Sequence, residues 1–167
     1  MSPDIVSLTQ NRDQSHYIGI DVGTGSVRAT LVDASGHVSA ISTKDTQTWR
    51  DSNDSRIFEQ STIDIWAAVG TVIRTVLQDA KIAPEQVKGL GFDATCSLAV
   101  TDFEGEPIAV TKGQGLGQRG ERNVILWADH RAEEEAELIN STGSIVLDYV
   151  GGKMSVCLSL RSIPSQH

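Results

Sequence analysis

Apolar and polar residues alternate from Tyr17 to Val22, the period of two that a half-buried strand requires. Gly23-Thr24-Gly25 interrupts the run, and a second strand is expected from Ser26 to Val32. Asp33-Ala34-Ser35-Gly36-His37 is another turn signal, followed by a third strand near Val38 to Thr43. Three short strands joined by glycine turns predict an antiparallel meander. From about Thr46 to Gln60 the chain is polar and carries no convincing element.

At Ser61 the spacing changes. Trp66, Val69, Ile73, Val76 or Leu77, and Ala80 recur every three or four residues, so Ser61 to Lys81 reads as a helix. Ser61 is its N-cap, and Asp64 in the first turn complements the dipole. Pro84 ends the helix. Strands are then expected at Lys88 to Asp93 and at Leu98 to Thr101, with a turn at Asp102–Glu106 before Pro107–Val110. A glycine-rich loop spans Lys112 to Gly120, Val124 to Trp127 is apolar, and Asp129 to Ile139 reads as a helix with an acidic outer face. The β-β-β-α-β order points to mixed α/β, with antiparallel strands beside a parallel one. Residues 1–14 read as a polar, mobile leader, and Cys157 to His167 has no periodicity.

Composition narrows the function. Fourteen basic against 22 acidic residues give a net charge of −8, and no basic patch offsets it, so a nucleic-acid partner is not expected. No apolar run reaches the roughly 18–20 residues of a membrane span, and the N-terminus lacks a signal pattern. Cys96 and Cys157 are too few for a disulfide scaffold. These features are those of a soluble cytoplasmic protein.

Asp21-Val22-Gly23-Thr24-Gly25-Ser26 joins two strands, and its successive backbone N–H groups and hydroxyls suit phosphate oxygens. Asp21, at the strand's end, could hold Mg²⁺ through water, as phosphoryl transfer requires. An ordinary hairpin would use the same glycines. Asp93-Ala94-Thr95-Cys96-Ser97 supplies short donors and acceptors that a sugar site needs, although a self-satisfied turn would look alike. Trp127-Ala128-Asp129-His130-Arg131 reads either as an apolar wall with a hydroxyl-binding carboxylate or as a buried Trp before an Asp helix cap. Gly115 to Gly120 matches GxGxxG literally, but no helix follows it, so it is a surface loop. Glu133-Glu134-Glu135 and Glu137 form a solvated face, and none of the four histidines is placed as a metal ligand.

The stretch from Tyr17 to Asp33 resembles the first phosphate loop of the actin-like sugar kinase superfamily, and the FGGY carbohydrate kinases in particular. Gly91–Ser97, Asn123–Ala132 and Gly151–Val156 resemble the ribulokinase-type branch, in the same order. The resemblance implies an incomplete ribonuclease H-like domain, the N-terminal part of an actin-like ATPase fold, over residues 15–156. It implies ATP with Mg²⁺ as cofactors and a ketose or polyol such as ribulose as substrate, and leaves open a homo-oligomer in the full-length form. Asp21, Gly23, Thr24, Gly25 and Ser26 would bind the nucleotide phosphates, with Asp21 on the metal. Asp93, Thr95, Cys96 and Asp129 would line the sugar pocket, Trp127 would be its wall, and Arg131 would be structural.

Family members continue differently after the GGxMSV block and are much longer. Residues 157–167 resemble nothing in them. The catalytic base and adenosine site are therefore expected beyond this chain, and losing a general base costs typically about 10²–10⁴-fold. Inactivity alone is expected, with an uncovered sheet face. The alternatives are a non-catalytic sugar-binding or regulatory module, or an artefact of the gene model.

Overall fold

The computed structural model describes residues 15–155. The expected leader at 1–14 and tail at 157–167 lie outside them. In chain order the strands are β1 (His16–Val22), β2 (Ser26–Asp33), β3 (Val38–Asp45), β4 (Trp49–Arg50), β5 (Phe58–Gln60), β6 (Val87–Ala94), β7 (Leu98–Ala99) and β8 (Val124–Ile125). Helix α1 (Thr62–Ala80) lies between β5 and β6, and α2 (Glu133–Ser141) follows β8. The chain forms two compact units, one built from residues 15–45 and 67–94, the other from 46–66 and 95–155.

The first unit is built on a four-stranded sheet of order β3-β2-β1-β6. β1 runs antiparallel to β2, and β2 to β3, whereas β1 and β6 are parallel. The meander beside a parallel strand is thus present. Alternation sorts the two faces: Ile18, Ile20, Val27, Ala29 and Leu31 are buried on one side, and Gly19, Asp21, Arg28 and Thr30 occupy the other. α1 contributes Val69, Val72 and Val76 to the core, with Ala68 beside them. Trp66, expected on that stripe, is instead 64% exposed. The buried stripe follows 68, 69, 72 and 76, so Trp66 falls off it.

Both ends of α1 are chemically closed. The Ser61 hydroxyl accepts the Asp64 N–H at 3.4 Å, as an N-cap does. Buried Asn123 adds a cap from elsewhere in the chain: its carbonyl oxygen accepts from the Thr62 N–H at 2.9 Å, and its amide donates to the Val100 carbonyl at 3.0 Å. At the other end the Ile82 N–H reaches the Leu77 carbonyl and the Lys81 N–H the Gln78 carbonyl. These are the two bonds of a Schellman cap. Lys81 holds the left-handed position, with φ of 56°.

The second unit contains a small sheet of order β4-β5-β8-β7, antiparallel throughout. β4 and β5 arise in the polar stretch where no strand is expected. All three residues of β5 are buried although two of them, Glu59 and Gln60, are polar, so the strand has no hydrophobic signature. α2 starts at Glu133, four residues later than the pattern predicts, because Asp129 and Arg131 are engaged in side-chain contacts that hold the preceding chain out of helix. A 3-10 segment, Ile145–Val150, follows and ends at Gly151 with φ of 82°. The turn at Asp102 forms as expected, its carboxylate accepting the N–H groups of Glu104 and Glu106. Among the described residues no helix is long and apolar enough to cross a membrane.

Two tests follow from the first unit. Glycine suits the left-handed cap that Lys81 occupies, so Lys81→Gly is expected to raise stability by roughly 0.5–1 kcal/mol in urea unfolding. Among the described residues β6 is an edge strand, and its Leu90 and Phe92 are each 52% exposed. Such an edge binds hydrophobic dyes and invites self-association. Dye fluorescence should rise with the wild-type chain and fall with Phe92→Lys; a cooperative melt above about 50 °C with no dye bound would contradict this.

Candidate functional site

The register of β1 decides what meets on the open face of the first sheet. Asp21 pairs with Arg28 on β2 and with Asp93 on β6. Two rungs earlier Gly19 pairs with Thr30 and with Gly91. Neighbouring strands lie about 4.8 Å apart, so the two carboxylates stand side by side. A Cβ added at Gly19 or Gly91 would meet no atom within 4 Å. The absence of side chains at both positions leaves a hollow of about 480 Å³, lined by Asp21, Arg28, Thr30 and Asp93 with the two glycines. Arg28 lies 3.7 Å from the Asp21 carboxylate, and Asp93 accepts the N–H of Ala94 at 2.9 Å.

The Gly23–Ser26 hairpin closes the same end of β1. The Gly23 N–H bonds to the Ser26 carbonyl at 2.9 Å, so it is turned inward and is not one of the donors expected for phosphate. A Cβ on Gly23 would stand 3.3 Å from that oxygen, a close approach that accounts for this glycine. Gly25 is exposed, and nothing would touch a Cβ there, which leaves its backbone open to an incoming group. Thr24 and Ser26 flank it, both half-buried. Two carboxylates on a solvent-open face, beside an open glycine turn, fit a magnesium ion that keeps most of its water. Among the described residues no cluster of three or more metal-ligating side chains occurs, so two carboxylates and water would be the donor set.

The second unit holds the other expected residues. Thr95 is half-buried and Cys96 exposed. The Thr95 and Ser97 hydroxyls are 3.2 Å apart, and the Ser97 hydroxyl accepts the Trp127 N–H at 3.3 Å. That bond ties the 95–97 turn to the loop that carries the indole. Asp129 departs from its expected role. It is fully buried, and its carboxylate is occupied by the Phe58 N–H at 2.7 Å, the Arg131 N–H at 2.9 Å and the Arg131 guanidinium at 2.7 Å. A carboxylate so engaged offers no surface to a hydroxyl ligand.

Arg131 sits at the centre of this network. Its side chain is 10% exposed, and it also donates to Glu59 at 2.8 Å and to the Val110 carbonyl at 2.8 Å. Burial opposes its charge, but Asp129 and Glu59 more than offset that and hold its pKa above the ordinary arginine value. Glu59, fully buried, takes Arg122 at 2.8 Å and the Thr111 hydroxyl at 2.7 Å on its other oxygen. Glu59 is the residue that sequence reasoning missed. Its only signal is a lone Glu in a run too short to show alternation.

Of the expected residues, Asp21, Asp93 and the Gly23–Ser26 turn belong to the first unit, and Thr95, Cys96 and Asp129 to the second. Asp93 is thus grouped in register with the metal candidate Asp21.

Residues 16–150 match the model of the FGGY family of carbohydrate kinases, N-terminal domain. Among curated relatives, a D-ribulokinase of Saccharomyces cerevisiae is 44% identical over 157 residues, covering 92% of this chain and 21% of that protein. A human FGGY carbohydrate kinase domain-containing protein is 45% identical, over 88% of this chain and 25% of its own length. A ribulokinase of Geobacillus thermodenitrificans is 30% identical, over 85% of this chain and 27% of its own. The chain thus spans 21% to 27% of the length of these relatives. In fold it is similar to a gluconate kinase and a xylulose kinase from Lactobacillus acidophilus, each with a TM-score of 0.63 and 22% identity, over 77% of this chain and 23% of theirs.

The frame around the Trp127 loop carries an acid limit. The Arg56 carbonyl accepts the His130 N–H at 2.9 Å, and Arg56 is itself held by Asp54. The Arg56 guanidinium, then its backbone N–H, lower the Asp54 pKa from 3.8 to about 2. A depressed folded-state pKa stabilises the fold above the unfolded value and stops doing so as pH falls. The Asp54 contribution should therefore be intact above pH 4 and fade between 3.8 and about 2. Carbon-detected NMR should find the Asp54 carboxyl titrating near the lower value, and Arg56→Ala should return it towards the upper one.

Proposed function

The chain belongs to the FGGY family of carbohydrate kinases and has the mixed α/β, actin-like fold of its N-terminal domain; from that premise we propose that it forms the phosphate-facing and sugar-facing part of an ATP-dependent ketopentose kinase acting in the cytoplasm. The observation that carries this reading is the in-register pair Asp21 and Asp93 over the hollow left by Gly19 and Gly91. When bound, Mg²⁺ would neutralise charge on the transferred phosphoryl group. Asp21 and Asp93 would hold its water shell. The open turn at Thr24, Gly25 and Ser26 would receive phosphate oxygens, with Gly23 setting the turn's shape and Arg28 orienting Asp21.

On the sugar side we assign Thr95, Cys96 and Trp127. Short polar groups beside an exposed indole suit a polyhydroxylated chain, which needs hydrogen bonds on its edges and an apolar wall for its C–H face. Asp129 supports this pocket from behind, and Asp93 moves from the sugar set to the metal set. We take ribulose as the substrate, a reading supported by the names of the D-ribulokinase and ribulokinase relatives. Because the chain spans 21% to 27% of those relatives, we infer that the proton-accepting base and the adenosine site belong to the remainder. The chain alone then binds without turnover.

Two measurements test the division of labour. In a kinase carrying this domain, Asp21→Ala should lower kcat by about 10²–10³-fold or more, the scale of losing one preorganised charge-stabilising group. Calorimetric titration with ribulose should show its affinity retained. Equal loss of sugar binding in a folded variant would overturn the assignment.

A further inference from the structure

Trp127 occupies a tight turn closed by the Asp129 N–H on the Leu126 carbonyl at 2.9 Å. Both ends of that turn are pinned to one residue of β5. The Leu126 N–H bonds to the Phe58 carbonyl at 3.0 Å, and the Asp129 carboxylate receives the Phe58 N–H at 2.7 Å. The next residue on β5, Glu59, holds Arg131, so two consecutive strand residues anchor the 126–131 loop, alongside the Ser97 hydroxyl at Trp127, the Arg56 carbonyl at His130 and the Val110 carbonyl at Arg131.

We propose that Glu59, Asp129 and Arg131 are positioning residues that set the angle of the Trp127 indole as the wall of the sugar pocket. This rests on reading Trp127 as that wall. A guanidinium is suited to the task because its donors lie in one rigid plane. Arg131 uses them on three separate segments: Nε on Asp129, NH2 on Glu59 and Asp129, and NH1 on the Val110 carbonyl. Glu59 is fixed in turn by Arg122 and Thr111, so it cannot swing to follow a displaced arginine. An apolar plug of equal volume would fill the space without defining an angle. A lysine would keep the charge and lose the fork.

The test uses the chain with Trp127 as its sole tryptophan, made by Trp49→Phe and Trp66→Phe. Acrylamide quenching reports the exposure of the indole, and titration with D-ribulose reports the pocket. Arg131→Lys is expected to raise the quenching constant about twofold while far-UV dichroism is kept, as a locally loosened loop would. It should also weaken ribulose binding by on the order of ten- to a hundredfold, the scale of misplacing a positioned group. Asn123→Ala, which loosens the α1 cap in the same unit, should lower the melting temperature and leave quenching unchanged.

If Arg131→Lys does not fold, the near-isosteric Glu59→Gln is read in the same way. Unchanged quenching in a folded variant overturns the proposal. So does an equal rise in Asn123→Ala, or loss of fold in both network variants, since the role would then be support of the unit as a whole. A parent chain that ignores ribulose while Arg131→Lys loosens Trp127 would sink the sugar reading and leave the positioning role standing.

Discussion

The first unit depends on the register of β1. That strand is bonded on both sides, antiparallel to β2 and parallel to β6. A slip of one residue would exchange its faces, sending Asp21 into the core and bringing Ile20 out. The buried row of Ile18 and Ile20 against Leu31 and Ala29 forbids that slip. The same constraint that satisfies hydrophobic burial therefore sets Asp21 beside Asp93. Core and candidate chemistry are two readings of one alignment.

The units treat charge in opposite ways. On the first sheet Asp21 and Arg28 remain in water, where an ion pair is worth little and the groups stay available to a ligand. In the second, Glu59, Asp129 and Arg131 are withdrawn from solvent, where each unpaired charge would be costly and each bond is correspondingly selective. Available charges suit binding; sequestered ones suit geometry. The acidic character of the chain is distributed between these tasks, together with the solvated glutamates of α2.

How much of this could be read from the sequence depends on whether an element is long enough to show a hydrophobic period. β1, β2, β3, α1 and β6 announce themselves because alternation and helical spacing are hydrophobic signals, and Ser61 caps α1 as its chemistry predicts. β4 and β5 are silent because two and three residues are too few to show alternation, and the early helix start at Asp129 fails because a buried ion network has no period. Family resemblance pointed to the segments around Asp21, Asp93 and Asp129. It did not separate a carboxylate that faces solvent, as Asp93 does, from one consumed by its neighbours, as Asp129 is. That distinction lies in the partners, Phe58 and Arg131, one of which is 71 residues away.

β6 is at once the edge of its sheet and the strand that carries Asp93. Its outer row of backbone groups is unpaired by any strand among the described residues. A strand added there would fix the backbone of β6 through main-chain hydrogen bonds, and with it the height of Asp93 relative to Asp21. The spacing of the two carboxylates would then follow the backbone of β6, because Asp21 and Asp93 are partners on one rung of the same ladder.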